Sequence, residues 1–323
     1  MTSQIDRRRF LRRAATAGAG LTAAGAAAGA IALTHHEGDG PRHETPSATA
    51  EFRWLGVAGW RIDIAGETVL VDPYLTRFPV GIASGSFDTA TPLRVDPAAV
   101  DPHVGTPKHI FVTHTHWDHF NDVPHIATNT GARVFGTLTA YHLAQSMGVP
   151  PSQLSTVRGG EVFDFGSYTM EVVGSLHSRT ASYSMFFPGV RVSRPEPPAT
   201  IADLPEGDTL NFQLRIKGGP AVFFMGASDF VERNVRGLAP DVAMLAVNSS
   251  TATHDYAARL MRALDHPAKV VPVHWDQFES PLQNPPPLGD SDRKQLDAFV
   301  AAVRAASPRT EVVVPDYLTS YRF

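Results

Sequence analysis

Short alternating runs of apolar and polar residues open the body of the chain. Three of them, residues 52–57, 60–64 and 68–71, read as strands of a sheet. Gly59 and Ala65-Gly66 punctuate these runs as turns, and Val71-Asp72-Pro73 ends the third. Residues 76–107 carry five prolines and no steady period, so they read as a long loop with room for one short helix. An apolar run at 109–113 has the pattern of a buried strand. Helices follow near 120–128 and at 138–147, around a short strand at 133–135. Further strands are predicted at 161–165 and 168–173, joined by a Gly166-Ser167 turn. After a proline-rich insertion at 179–207, strands 210–216 and 221–225 flank the hairpin turn Lys217-Gly218-Gly219-Pro220. The chain closes with strand 242–247, helix 256–264, strand 269–273, helix 293–305 and strand 311–314. Strands first, then strands alternating with helices, in each half, predict an α/β fold of two sheets covered by helices. No repeat with a period of about 20–50 residues appears, and no break in composition, so residues 51–323 read as one domain.

Composition narrows the class. Of 323 residues, 43% are hydrophobic and 19% charged, as in a soluble globular protein with a substantial core. Net charge is −4, and no Lys/Arg block occurs beyond the N-terminus, so no nucleic-acid partner is expected. The absence of cysteine excludes disulfides, thiolate metal sites and a Cys nucleophile, and leaves the compartment open.

The first 50 residues address the compartment. Arg7-Arg8-Arg9 stands before Phe10-Leu11, and an uncharged Ala/Gly/Thr/Leu stretch runs from Ala14 to Leu33. This reads as a twin-arginine export signal, with the export machinery as partner and a secreted or envelope destination. A membrane span of ~20 residues is the alternative, but Ala and Gly make the stretch weakly apolar. A polar linker holding His35, His36 and His43 ends in Ala48-Thr49-Ala50, which allows cleavage before Glu51; a cut nearer Leu33 is the other choice. Twin-arginine export carries folded proteins, which suits a metalloenzyme loaded beforehand.

The chemistry concentrates in His114-Thr115-His116-Trp117-Asp118-His119. His114 and His116 are two apart in an extended segment, so both side chains leave one face and can reach one cation. Asp118 and His119 fall where the chain turns into a helix and can serve a second. His177, Asp229 and His274 each follow an apolar strand, the place where site residues collect. Imidazole and carboxylate suit zinc, with manganese or iron as alternatives. His109, His125 and His142 read as core or solvated histidines, Trp117 and Trp275 as packing walls, and His254, just before a helix, as solvated first and substrate-facing second. Met185-Phe186-Phe187 reads first as the small core of its own insertion, and second as pocket lining or a lipid contact.

The His114-x-His116-x-Asp118-His119 run, followed in order by a lone His, a lone Asp and a final His, resembles the metallo-β-lactamase superfamily across nearly the whole of residues 51–323. Val71-Asp72-Pro73 and Pro272-Val273-His274-Trp275 are most similar to the branch of sugar-phosphate lactonases and N-acylethanolamine-phospholipid phospholipases D. The resemblance implies a four-layer αββα sandwich and two divalent metal ions, zinc first. His114, His116 and His177 would hold one, Asp118, His119 and His274 the other. Asp229 would bridge them, Asp118 and Asp229 being the catalytic carboxylates, and Asp72 would orient a ligand imidazole. Several relatives in that branch carry a His after the early glycine, where this chain has Val57 after Gly56. Water between two cations loses its proton near neutral pH, against a pKa of about 15.7 in bulk, so a hydrolase of an ester-like bond (phosphodiester, phospholipid or lactone) is expected. Substrates would be small molecules or lipids. A β-lactam is a weaker candidate, because relatives with that activity generally lack the bridging Asp. Among oxidoreductases of this fold, flavodiiron enzymes carry Glu where this chain has His116, whereas sulfur dioxygenases with one iron keep the His and form the alternative.

Overall fold

The computed structural model describes residues 50–323. The expected export signal and its linker lie outside the described residues. Strands β1 (Ala50–Gly56), β2 (Gly59–Ile64) and β3 (Glu67–Val71) form an antiparallel meander. On β3 the sheet turns parallel, through β4 (Pro107–Phe111), β5 (Arg133–Gly136) and β6 (Leu154–Thr156). The late strand β14 (Ser320–Tyr321) returns to pair with β1 and completes seven strands. The second sheet also has seven. β7 (Val162–Asp164), β8 (Tyr168–Gly174), β9 (Leu210–Ile216) and β10 (Ala221–Met225) are antiparallel neighbours. β10 then pairs in parallel with β11 (Val242–Ala246), β11 with β12 (Lys269–Val273), and β12 with β13 (Glu311–Val312).

The strand period of two assigns the layers. On β3, Val69 and Val71 enter the core between the sheets, while Leu70 enters the core on the outer face. Phe111 and Phe135 repeat the inward choice, and Ile110 and Val134 the outward one. The outer core is closed by Val100 of α1 (Pro97–Val104), Ile126 of α3 (Val123–Thr130) and Leu143 of α4 (Leu138–Ser146), α2 being the single turn Trp117–Phe120. After the short helix α5 (Glu232–Val235), α6 (Tyr256–Ala263) and α7 (Asp290–Ala306) bring Leu260, Leu296 and Phe299 onto the second sheet. Each such side chain contributes about 1.5–3 kcal/mol on full burial. The result is the expected αββα sandwich.

Some boundaries differ from the pattern. The single helix expected near 120–128 is two, broken at Asn121-Asp122. Asp122 lends its carboxylate to Leu75 N–H (2.6 Å), Thr76 N–H (2.9 Å) and the Thr76 hydroxyl (2.6 Å), a task that holds the long loop down. Strands β6 and β14 have three and two residues, too short to show a period.

Candidate metal centre

The strand ends of both sheets meet at one edge, and the site is built there. After β4 the chain runs through Val112 and Thr113 into His114. Asp72, just past β3, donates its N–H to the Phe111 carbonyl at 3.0 Å. Its carboxylate accepts from the Thr113 N–H at 2.7 Å and the Thr113 hydroxyl at 2.5 Å. The same oxygen lies 2.8 Å from His119 Nδ1. That contact places the His119 proton on Nδ1 and leaves a lone pair on Nε2, which is buried without a hydrogen-bond partner. Asp72 thus stands where the resemblance puts it.

The other rings are oriented by similar means. His177 Nδ1 donates to the Ser178 carbonyl at 2.9 Å, and His116 Nε2 to the Phe186 carbonyl at 3.1 Å. The Thr113 hydroxyl, its own proton on Asp72, sits 3.1 Å from His114 Nδ1 and accepts from it. The lone pairs left over are on Nε2 of His114 and His177 and on Nδ1 of His116. Nε2 of His114 and Nε2 of His177 are 3.2 Å apart. Two lone pairs held that close repel each other unless a cation is shared between them.

Six of the seven expected ligands are brought together, as two adjoining triads. His114, His116 and His177 form one, and Asp118, His119 and His274 the other; within each, the ligand atoms lie within 4.8 Å of one another. The rings of His114 and His119 are 4.0 Å apart across the join. Asp118 Oδ2 is 3.2 Å from His274 Nε2 and 3.5 Å from His119 Nε2. Burial drives the imidazoles of the first triad toward the neutral, metal-ligating form: His116 falls to about 4, His177 to about 3 and His114 well below its ordinary value, neighbouring rings adding to the effect on His114 and His177. In the second triad burial opposes charge too, but Asp118 and Asp72 outweigh it and raise His119. Burial likewise opposes ionisation of Asp118, yet His119 and His274 hold its carboxyl well below the usual range. Neutral nitrogens in the first triad, and an ionised carboxylate with an orphaned buried Nε2 in the second, fit divalent cations.

Asp229, expected to bridge the two ions and act in catalysis, is the exception. Among the described residues it joins neither triad. The chain approaches the centre three residues earlier, at Gly226, where a Cβ would fall 2.3 Å from the Thr113 hydroxyl and 2.9 Å from Asp72 Oδ2. By Asp229 the chain has moved on to pair with Leu176 in an isolated bridge. The Asp229 carboxylate accepts from the Phe230 N–H at 2.8 Å. Burial raises its pKa, against that hydrogen bond and the fields of Arg259 and Arg179.

A network not foreseen from the sequence anchors the second triad. Asp276, two residues past His274, accepts from Arg77 Nη2 (2.8 Å), the Tyr317 hydroxyl (2.8 Å) and the Val57 N–H (3.0 Å). Arg77 also donates to the carbonyls of Gln277 and Ser280 at 2.8 and 2.6 Å. The Val57 carbonyl in turn receives the His274 N–H at 2.8 Å, so the position that carries His in some relatives here fastens the His274 backbone. A carboxylate two residues beyond a ligand was the only signal in the sequence.

A cavity of about 690 Å³ opens over both triads. Trp117 and Trp275 line it, as expected of packing walls, and Phe186 lines it as well. Phe187 packs 6.0 Å from the rings of His116 and Trp117, so the aromatic pair of the insertion serves the site wall rather than a core of its own. His109 bonds Tyr168 at 2.6 Å in the core, and His125, His142 and His254 do not line the cavity.

A family model described as "Beta-lactamase superfamily domain" matches residues 67–275. A UPF0173 metal-dependent hydrolase of Methylobacterium nodulans is 29% identical over 272 residues, covering 81% of this chain and 94% of that protein. Another from Myxococcus xanthus is 27% identical and covers 94% and 95%. Among solved structures, the metallo hydrolase Igni18 of Ignicoccus hospitalis superimposes with a TM-score of 0.54 at 19% identity, over 85% of this chain and 98% of that one, and supports the fold. With the sandwich, the paired triads and the matched family domain in agreement, the chain belongs to the metallo-β-lactamase superfamily.

Proposed function

We propose that the protein is an exported hydrolase that holds two divalent metal ions, zinc first, and cleaves an ester-like bond of a phosphodiester, phospholipid or lactone. The observation that carries the reading is the Nε2–Nε2 approach of His114 and His177 at 3.2 Å, beside a second triad with an orphaned His119 Nε2. His114, His116 and His177 would hold one ion and Asp118, His119 and His274 the other. The ions would supply an activated water and positive charge for the developing oxyanion. The chain's own part is to keep the imidazoles of the first triad neutral by burial, to fix ring tautomers through Asp72, Thr113 and two backbone carbonyls, and to wall the site with aromatic rings. The names of the relatives, metal-dependent hydrolases, support the same reaction class. The test is metal analysis followed by turnover of a phosphodiester, lactone and β-lactam panel. Two ions per chain and hydrolysis of a diester or lactone are expected, with His116→Ala slower by at least the ~10²–10³-fold that loss of one oxyanion donor costs. Near-normal turnover by His116→Ala would sink the proposal.

A second reading has one observation in its favour: Asp118, His119 and His274 are a two-His, one-carboxylate set, which also suits a single non-haem iron. Oxygen uptake with a persulfide, one iron per chain and no hydrolysis across the panel would establish a sulfur dioxygenase instead. Export is proposed from the paired arginines; replacing Arg7 and Arg8 together by Lys should retain the protein in the cytoplasm, and unchanged secretion would remove the twin-arginine route.

A further inference from the structure

Arg179 is the one Lys or Arg among the residues lining the cavity, two positions after His177. Three of the acidic groups around the same cavity are already engaged, and two stand at a helix start. Asp118 belongs to a triad, and Asp276 holds Arg77 and Tyr317. Glu279 accepts from the N–H groups of Val80, Ile82 and Ala83 at 2.9, 2.8 and 2.9 Å. Asp290 and Asp292 occupy the first turn of α7, where the positive helix end favours carboxylates. Arg179, partly buried, makes no hydrogen bond or ion pair among the described residues. The acid that feels its charge is Asp229, beyond ion-pair distance and across the bridge from Leu176. Opposite in character is an aromatic wall, in which Phe87 lies 6.1 Å from Trp117 and 5.8 Å from Phe186.

We propose that Arg179 is the oxyanion-binding residue of the substrate subsite: it takes a phosphoryl or carboxylate group of the substrate beside the first triad, while Phe87 and Phe186 take an apolar portion. A guanidinium is suited to this, being charged at every working pH and able to bind two oxygens with one planar fork. The neighbouring backbone is set for it, since Ser178 carries the carbonyl that holds His177 and the hydroxyl that accepts the Ser228 N–H at 2.8 Å. Asp229, rather than bridging metals, becomes the counter-charge behind Arg179. The proposal deepens the hydrolase reading, in that it names the chemistry its substrate must carry.

The probe is phenylphosphonate, an oxyanion joined to a ring, titrated calorimetrically into zinc-loaded protein. Wild type should bind it, Arg179→Gln should weaken binding at least tenfold with metal content and melting temperature unchanged, and Arg179→Lys should recover part of the loss. Phe186→Ala should weaken it as well. Equal affinity in wild type and Arg179→Gln, or no binding by wild type, overturns the subsite. Binding that depends on Arg179 in a protein that hydrolyses nothing in the panel would leave the subsite standing and remove the hydrolase reading.

Discussion

At the scale of single residues, Asp72 sets the chemistry of the second triad without touching a cation itself. It serves the Thr113 N–H, the Thr113 hydroxyl and His119 Nδ1 from a fully buried position. Asp72→Ala would leave two buried donors unpaired and free the His119 ring to change tautomer. Groups in this position typically contribute about 10–100-fold to metal affinity. A competition titration against a chromophoric chelator should show a loss of that size in the second equivalent of metal, with the first retained. Asp229→Ala is the contrasting case: because its carboxylate accepts from the Phe230 N–H and joins neither triad, metal content and affinity should match wild type. Loss of an ion from Asp229→Ala would restore the bridging role.

At the scale of elements, the site hangs on segments that follow strands, and their anchors decide how firmly. The His274 loop is bolted by the Arg77–Asp276 pair, whose side chains are 1% and 0% exposed. Breaking a buried pair by removing one partner costs about 3–5 kcal/mol, because the other charge is left without compensation. Arg77→Met should therefore lower the urea midpoint accordingly and weaken the ion held with His274, whereas the Arg77→Met, Asp276→Leu double variant should recover much of the stability. A single variant as stable as wild type would show the network to be idle. The same elements explain what could be read in advance. The run from His114 to His119 was legible because local spacing decides which face a strand-end side chain leaves. His177 and His274 were legible as polar residues closing apolar strands. Asp229 met that same rule yet joins neither triad, since which residue comes near the centre depends on where Gly226 crosses Thr113, a tertiary contact with no local period. Arg77 and Asp276 were missed for a related reason: they are 199 residues apart, and only the packing of the long loop onto the last strands brings them together.

At the scale of the whole molecule, the two triads span the two halves of the sandwich. His114, His116, Asp118 and His119 come from the segment after β4 of the first sheet, while His177 and His274 follow β8 and β12 of the second. Each triad therefore takes ligands from both sheets, and a cation bound there would fasten one sheet to the other. Without cations, the close imidazole nitrogens and the buried, unpartnered His119 Nε2 oppose the packing that the inter-sheet core favours. Binding to the folded state alone stabilises it by about 2.7 kcal/mol when free metal is one hundred times Kd. For a domain of this size each kcal/mol moves Tm by roughly 2–4 °C, so zinc at that level should raise Tm by about 5–10 °C over protein stripped with a chelator. The rise should grow with metal concentration, and His177→Ala or His274→Ala should each remove part of it, because each severs one triad from the second sheet. Calorimetric scans of stripped and reloaded protein measure this directly. Identical melting of the two forms would mean that the cations, if bound, do not link the sheets, and the geometry of the paired triads would need another explanation.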